Sequence, residues 1–245
     1  GSEAVVLTHN CGAKLAFRYS TTSVNHRRAD ARRHCWLPTA ARTVRAAIRC
    51  MSAAKNIIAI HGAPRSGTSW LGQLFNSSPQ VAYRYQPFFS YAFRGRIDTG
   101  SDVASLRGFF ADLLATEDEF VLQSGTASMA STTPRFAKSE ITHLAYKEVR
   151  FHHLLPHMMA ILPELKAIGI VRDPRAVLAS WAKAPREFDP TWKLADEWRC
   201  AERKNAGLEE NWYGFARWKA LAEMFLRLQE LYPSRFRVVR YEELV

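Results

Sequence analysis

Residues 56–71 read Asn56-Ile57-Ile58-Ala59-Ile60-His61-Gly62-Ala63-Pro64-Arg65-Ser66-Gly67-Thr68-Ser69-Trp70-Leu71. A short aliphatic run empties into a glycine-bounded loop and then into a helical pattern. Ile57 to Ile60 are apolar without alternation, as in a strand buried on both faces of a parallel sheet. Gly62 and Gly67 have the G-x-x-x-x-G spacing of a phosphate loop, where glycines admit backbone N–H groups to an anion and the helix N-terminus adds partial positive charge. A nucleoside-triphosphate loop continues G-K-[ST]. Here Thr68 fills the lysine position and the cation, Arg65, lies inside the loop, which argues against ordinary ATP or GTP chemistry. Read without a ligand, the stretch is a glycine turn between strand and helix.

A second stretch has the same form. Leu165-Lys166-Ala167-Ile168-Gly169-Ile170-Val171 is an aliphatic strand that runs into Arg172-Asp173-Pro174-Arg175-Ala176-Val177-Leu178-Ala179-Ser180-Trp181. Pro174 suits a first helical turn and Asp173 an N-cap, which leaves Arg172 at a strand end and Ser180 two turns on. A capped helix with a salt-bridged arginine explains the same residues. Leu144 to Phe151 read as a further strand, whose charges Lys147, Glu148 and Arg150 belong at its carboxyl end, where open α/β sheets bind ligands.

Pro64 to Leu71 resembles the 5′-phosphosulfate loop of sulfotransferases that use 3′-phosphoadenosine 5′-phosphosulfate (PAPS). Arg172 and Ser180 resemble the family's 3′-phosphate clamp, which an arginine can make with paired charge-assisted hydrogen bonds. Lys147-Glu148-Val149-Arg150 resembles the K-x-V-R of the carbohydrate enzymes, and Arg240-Tyr241-Glu242-Glu243-Leu244 their R-Y-E-[DE]-L segment. The two loops occur in family order about 105 residues apart, and the joint match is far less accidental than either alone.

The resemblance, over roughly residues 55–245, implies an α/β, P-loop-containing nucleotide-binding fold with a central, mostly parallel sheet flanked by helices. It implies PAPS as co-substrate, held by Arg65, Ser66, Gly67, Thr68, Ser69 and Trp70 at one end and by Arg172 and Ser180 at the other. Sulfuryl transfer to a hydroxyl or amine follows, with a carbohydrate the expected acceptor and no metal. Arg65 would hold the 5′-phosphate and leaving oxygen, and Lys147 the sulfuryl oxygens. Where many relatives place a glutamate before proline, this chain has Gln86-Pro87. Glu148 is therefore the substitute base, with His153 behind it, although strand alternation turns Glu148 away from Lys147. In relatives further helices follow the position of Val245, so the domain is expected to lack its carboxyl-terminal part. The rival readings are a non-catalytic module binding PAPS or its product, and a P-loop nucleotide kinase.

The chain has 245 residues and a formal charge of +11, enough length for one α/β domain with a substantial core. Roughly +8 of that charge falls in residues 1–55, so residues 1–54 read as a basic amino-terminal arm or helix preceding a domain at 55–245. A basic segment outside the folded body weakens a nucleic-acid reading. Apolar runs are too short for a membrane span of about 18 residues. Cys11, Cys35, Cys50 and Cys200 form no C-x-x-C pair, which leaves no zinc pattern and favours free buried thiols in a reducing compartment. A cytoplasmic location is expected, with a Golgi-type luminal domain the alternative.

Elsewhere, Val81 to Tyr85 read as a strand and the aromatic run through Phe88, Phe89, Tyr91 and Phe93 as either acceptor wall or core. Residues 102–116 have helical apolar spacing, residues 122–140 read as a long loop, and residues 190–231 as two helical stretches rich in tryptophan.

Overall fold

The computed structural model describes residues 56–124 and 137–245. The expected arm over 1–54 and most of the loop over 122–140 lie outside them. Among the described residues, five strands form one sheet: β1 (Asn56–Gly62), β2 (Val81–Tyr85), β3 (His143–Glu148), β4 (Leu165–Val171) and β5 (Phe236–Arg240), in the order β2-β3-β1-β4-β5. All four neighbouring pairs are parallel. β1 is central because both of its edges and both of its faces are covered, which is what an uninterrupted aliphatic run allows; Ala59 and Ile60 have no exposed surface. Its register sets Ile60 beside Lys147 and Ile168, so the carboxyl ends of β1, β3 and β4 open along one edge.

Five longer helices join the strands: α1 (Thr68–Asn76), α2 (Val103–Leu114), α3 (Leu155–Ile161), α4 (Pro174–Ala182) and α5 (Gly214–Leu231). The side chain of Asp102 caps α2 by accepting the Ser105 N–H at 2.8 Å. Its stripe, Leu106, Phe109, Phe110, Leu113 and Leu114, is buried against Phe88, Phe93 and Tyr146 of the main core. The aromatic run after β2 thus divides: Phe88 and Phe93 are core, Phe89 is part-exposed and Tyr91 is fully so.

Two expectations are revised. The stretch around Trp192, Leu194 and Trp198 is no continuous helix; it breaks into turns at Leu194–Glu197 and Glu202–Asn205, where Ala201 and Ala206 take positive φ of 50° and 48°. Packing selects this path, because Ala201 is buried with Trp181, Phe188 and Tyr213 in a small second core. Cys200 is disulfide-bonded rather than a free thiol. Among the described residues no helix is long and apolar enough to cross a membrane.

Candidate active site

β1 ends at Gly62, where a Cβ would stand 2.5 Å from the Ile170 side chain and 2.8 Å from that of Thr68. Only glycine lets the chain turn so close to β4. Within the loop the Ser66 N–H donates to the Ala63 carbonyl at 3.1 Å, and Arg65 takes a positive φ of 72°, which throws its side chain outward. Gly67 precedes α1 at φ 93° with no side-chain cap, and no acidic residue occupies the first turn. The first-turn N–H groups and the helix dipole therefore remain for an anion.

The second loop meets the first. Asp173 caps α4 by accepting the Arg175 N–H at 2.8 Å, and it ion-pairs with Arg175 rather than with Arg172. Arg172 instead donates to the Arg65 carbonyl at 3.1 Å, while its guanidinium lies 4.4 Å from the centre of the Tyr241 ring. From α4, Ser180 Oγ accepts from Arg65 Nε at 3.1 Å. The short turn after β5 braces both loops. A Cβ on Gly67 would meet the Tyr241 ring at 2.5 Å, and Glu242 accepts the Asp173 N–H at 2.9 Å. Behind them the Trp218 indole of α5 donates to the Arg172 carbonyl at 3.1 Å.

Together these elements enclose a cleft of about 570 Å³ at the carboxyl edge of the sheet, a size suited to a small molecule. Arg65, Gly67, Thr68, Ser69, Lys147, Arg172 and Ser180 all line it. Ser66 and Trp70 do not: Ser66 is wholly buried inside the loop, and Trp70 stands on the outer face of α1, edge-on to Tyr241 at 6.4 Å. Lys147 is 2 % exposed, its ammonium 4.2 Å from the centre of the Tyr85 ring. Burial pulls its pKa down to about 8, against the pull of Glu148 and Glu187.

Glu148 is not brought to the cleft. Alternation along β3 sends it to the opposite face of the sheet, where its Oε1 accepts the Phe88 N–H at 2.8 Å and burial raises its pKa to about 8. It fixes the turn after β2 instead of facing a substrate. His153 also lies outside the cleft, half-buried with its ring tilted against Phe151. Gln86 does line the cleft and donates its backbone N–H to the Lys147 carbonyl at 3.0 Å.

Several lining residues carried no signal of their own in the sequence: Tyr85, Phe120, Arg186, Glu187, Lys204 and Tyr213. They arrive from five separate segments, and nothing in their spacing marks them as neighbours. Tyr85 is the exception in principle, since it ends a strand beside Lys147 in register.

A parallel α/β sheet, a glycine-bounded loop carrying arginine where a nucleoside-triphosphate loop has lysine, and a second arginine-bearing loop bonded to it frame a cleft lined with cationic side chains. The profile of the sulfotransferase family matches residues 58–245, and the chain belongs to that family. It is similar to carbohydrate sulfotransferase 1 of Danio rerio, at 24 % identity over 64 % of this chain and 50 % of that protein. The chain thus spans about half the length of that curated relative. A solved sulfotransferase from Alicyclobacillus acidocaldarius is also similar, with 17 % identity, a TM-score of 0.43, and coverage of 76 % of this chain and 73 % of that one.

Proposed function

We propose that the protein transfers a sulfuryl group from PAPS to a hydroxyl of a carbohydrate acceptor. The observation that carries this reading is the contact between the two loops: Arg172 bonds the carbonyl of Arg65, so two cations from opposite motifs face one cleft. A donor with phosphate at both the 3′ and 5′ positions of one nucleoside needs two such anion sites, and ATP does not carry a 3′-phosphate. Arg172 and Ser180 take the 3′-phosphate. Arg65 and the α1 N-terminus take the 5′-phosphosulfate. Lys147, charged below its pKa of about 8, neutralises the sulfuryl oxygens as charge builds on them.

Sulfuryl transfer, like phosphoryl transfer, asks mainly for alignment and fixed positive potential. Tyr85, Phe89 and Phe120 form an aromatic side of the cleft, on which a sugar ring stacks. Calorimetry with 3′,5′-ADP against 5′-AMP tests the donor site. Wild type should prefer the 3′-phosphorylated ligand by at least tenfold, and Arg172→Ala should lose that preference while keeping the fold. Equal binding of the two ligands by wild type refutes the reading. A non-catalytic binder would show the preference and no transfer.

A further inference from the structure

No residue given a role so far removes the proton from the acceptor hydroxyl. Gln86 has no basic atom, Glu148 lies behind the sheet, and His153 is outside the cleft. Among the described residues that line the cleft, Glu187 carries the sole carboxylate.

Its backbone is held firmly. Glu187 follows α4, the helix that carries Ser180, in a turn where its N–H donates to the Ala184 carbonyl at 2.8 Å. The Trp181 indole donates to the Glu187 carbonyl at 3.2 Å, and Trp181 and Phe188 are both buried. The side chain is placed but not consumed. Oε1 lies 4.0 Å from an Arg65 guanidinium nitrogen, which is an ion pair but longer than a hydrogen bond. Oε2 is buried and meets no hydrogen-bond partner among the described residues. A buried carboxylate oxygen without a donor is costly, and at the wall of a cleft that cost is relieved by a donor that enters with the substrate.

The groups around it agree. Arg65, Lys147, Arg150, Arg172, Arg186 and Lys204 share the cleft with Glu187, as do Tyr85 and Tyr213. The negative charge of Glu187 holds up the pKa values of Lys147, Lys204, Tyr85 and Tyr213. Glu187 is therefore within electrostatic reach of both Lys147 and Arg65, the groups assigned to the transferring sulfate.

We propose that Glu187 accepts the proton of the acceptor hydroxyl during sulfuryl transfer, an assignment that rests on the function proposed above. The acceptor oxygen forms a bond to sulfur as the bond from sulfur to the 5′-phosphate oxygen breaks. The hydroxyl proton passes to the Glu187 carboxylate, and 3′,5′-ADP leaves with the bonding pair. No further reactant is needed.

The test uses the whole chain with PAPS, a neutral disaccharide (lactose) as acceptor and water as the fallback acceptor, following 3′,5′-ADP release. Glu187→Gln should lower kcat by about 100-fold or more, the scale of a lost general base, while the Kd for 3′,5′-ADP stays within a few-fold of wild type. Glu187→Asp, which keeps a carboxylate at the same place in the chain, should recover part of the rate. A Glu187→Gln enzyme with wild-type kcat overturns the assignment, as does a Glu187→Asp enzyme that recovers none of a lost rate. So does a parallel loss of rate and 3′,5′-ADP binding, which would mark a structural role. A wild type that binds 3′,5′-ADP selectively yet transfers to neither acceptor overturns it too. Failure of 3′,5′-ADP selectivity itself would instead bring down the donor reading.

Discussion

His61, the residue before Gly62, sets a pH limit on the fold beneath the phosphate loop. It is fully buried, and its Nδ1 lies 2.9 Å from Nδ1 of the equally buried His152, so one ring donates and the other accepts. Among the described residues, Nε2 of His61 meets no hydrogen-bond partner. Burial pushes the His61 pKa from 6.5 down to about 3, so the folded chain keeps the ring neutral while the unfolded chain protonates it. A base depressed on folding stabilises the folded state above its unfolded pKa, and that contribution drains away as pH falls from 6.5 towards 3. At pH 5 the unfolded state is favoured roughly thirtyfold by this proton, about 2 kcal/mol relative to pH 7.5. Glu148 works in the opposite sense: its raised pKa of about 8 stabilises the fold as pH drops through 8 towards its unfolded value of 4.5. The wild-type curve therefore conceals both effects, and the difference between two chains separates them. His61→Asn keeps a polar group near His152 but cannot take up a proton. Urea unfolding followed by circular dichroism at pH 7.5, 6.5, 5.5 and 5 should show the variant less stable at pH 7.5, with the gap to wild type closing by about 2 kcal/mol at pH 5. Parallel curves across that range would refute a neutral buried His61.

Two further outcomes follow from the cleft. Because burial pulls the Lys147 pKa down to about 8, transfer should fall as pH rises through 8, and Lys147→Arg, which stays charged, should move that fall to higher pH; a rate profile settles it. Gly67→Ala puts a Cβ at φ 93° and 2.5 Å from the Tyr241 ring; it should cost about 1–3 kcal/mol of stability and weaken 3′,5′-ADP binding at least tenfold by disturbing the ring under Arg172, measured by thermal unfolding and calorimetry.

Much of the fold could be read locally because its signals are local. The unbroken apolar run Ile57–Ile60, the glycines at 62 and 67 and the Asp173-Pro174 cap each state a backbone requirement that neighbours in sequence meet. β3 was legible too, down to the alternation that separates Lys147 from Glu148. The helical reading around Trp192 and Trp198 failed because apolar spacing does not register the left-handed turns at Ala201 and Ala206, which the pocket of Trp181 and Tyr213 imposes from elsewhere. The Cys200 disulfide was illegible for a similar reason: isolated cysteines state no pairing distance.

The amino-acid order determined that this chain makes a parallel sheet with two arginine-bearing loops, since strand runs, glycine turns and helix caps act over a few residues. It could not determine that Arg172 would bond the backbone of Arg65, that Tyr241 would lie beneath both loops, or that Glu187 would be the carboxylate facing them. Those are distances between segments far apart along the chain, and only the stacking of helices against the sheet brings them within a few ångströms.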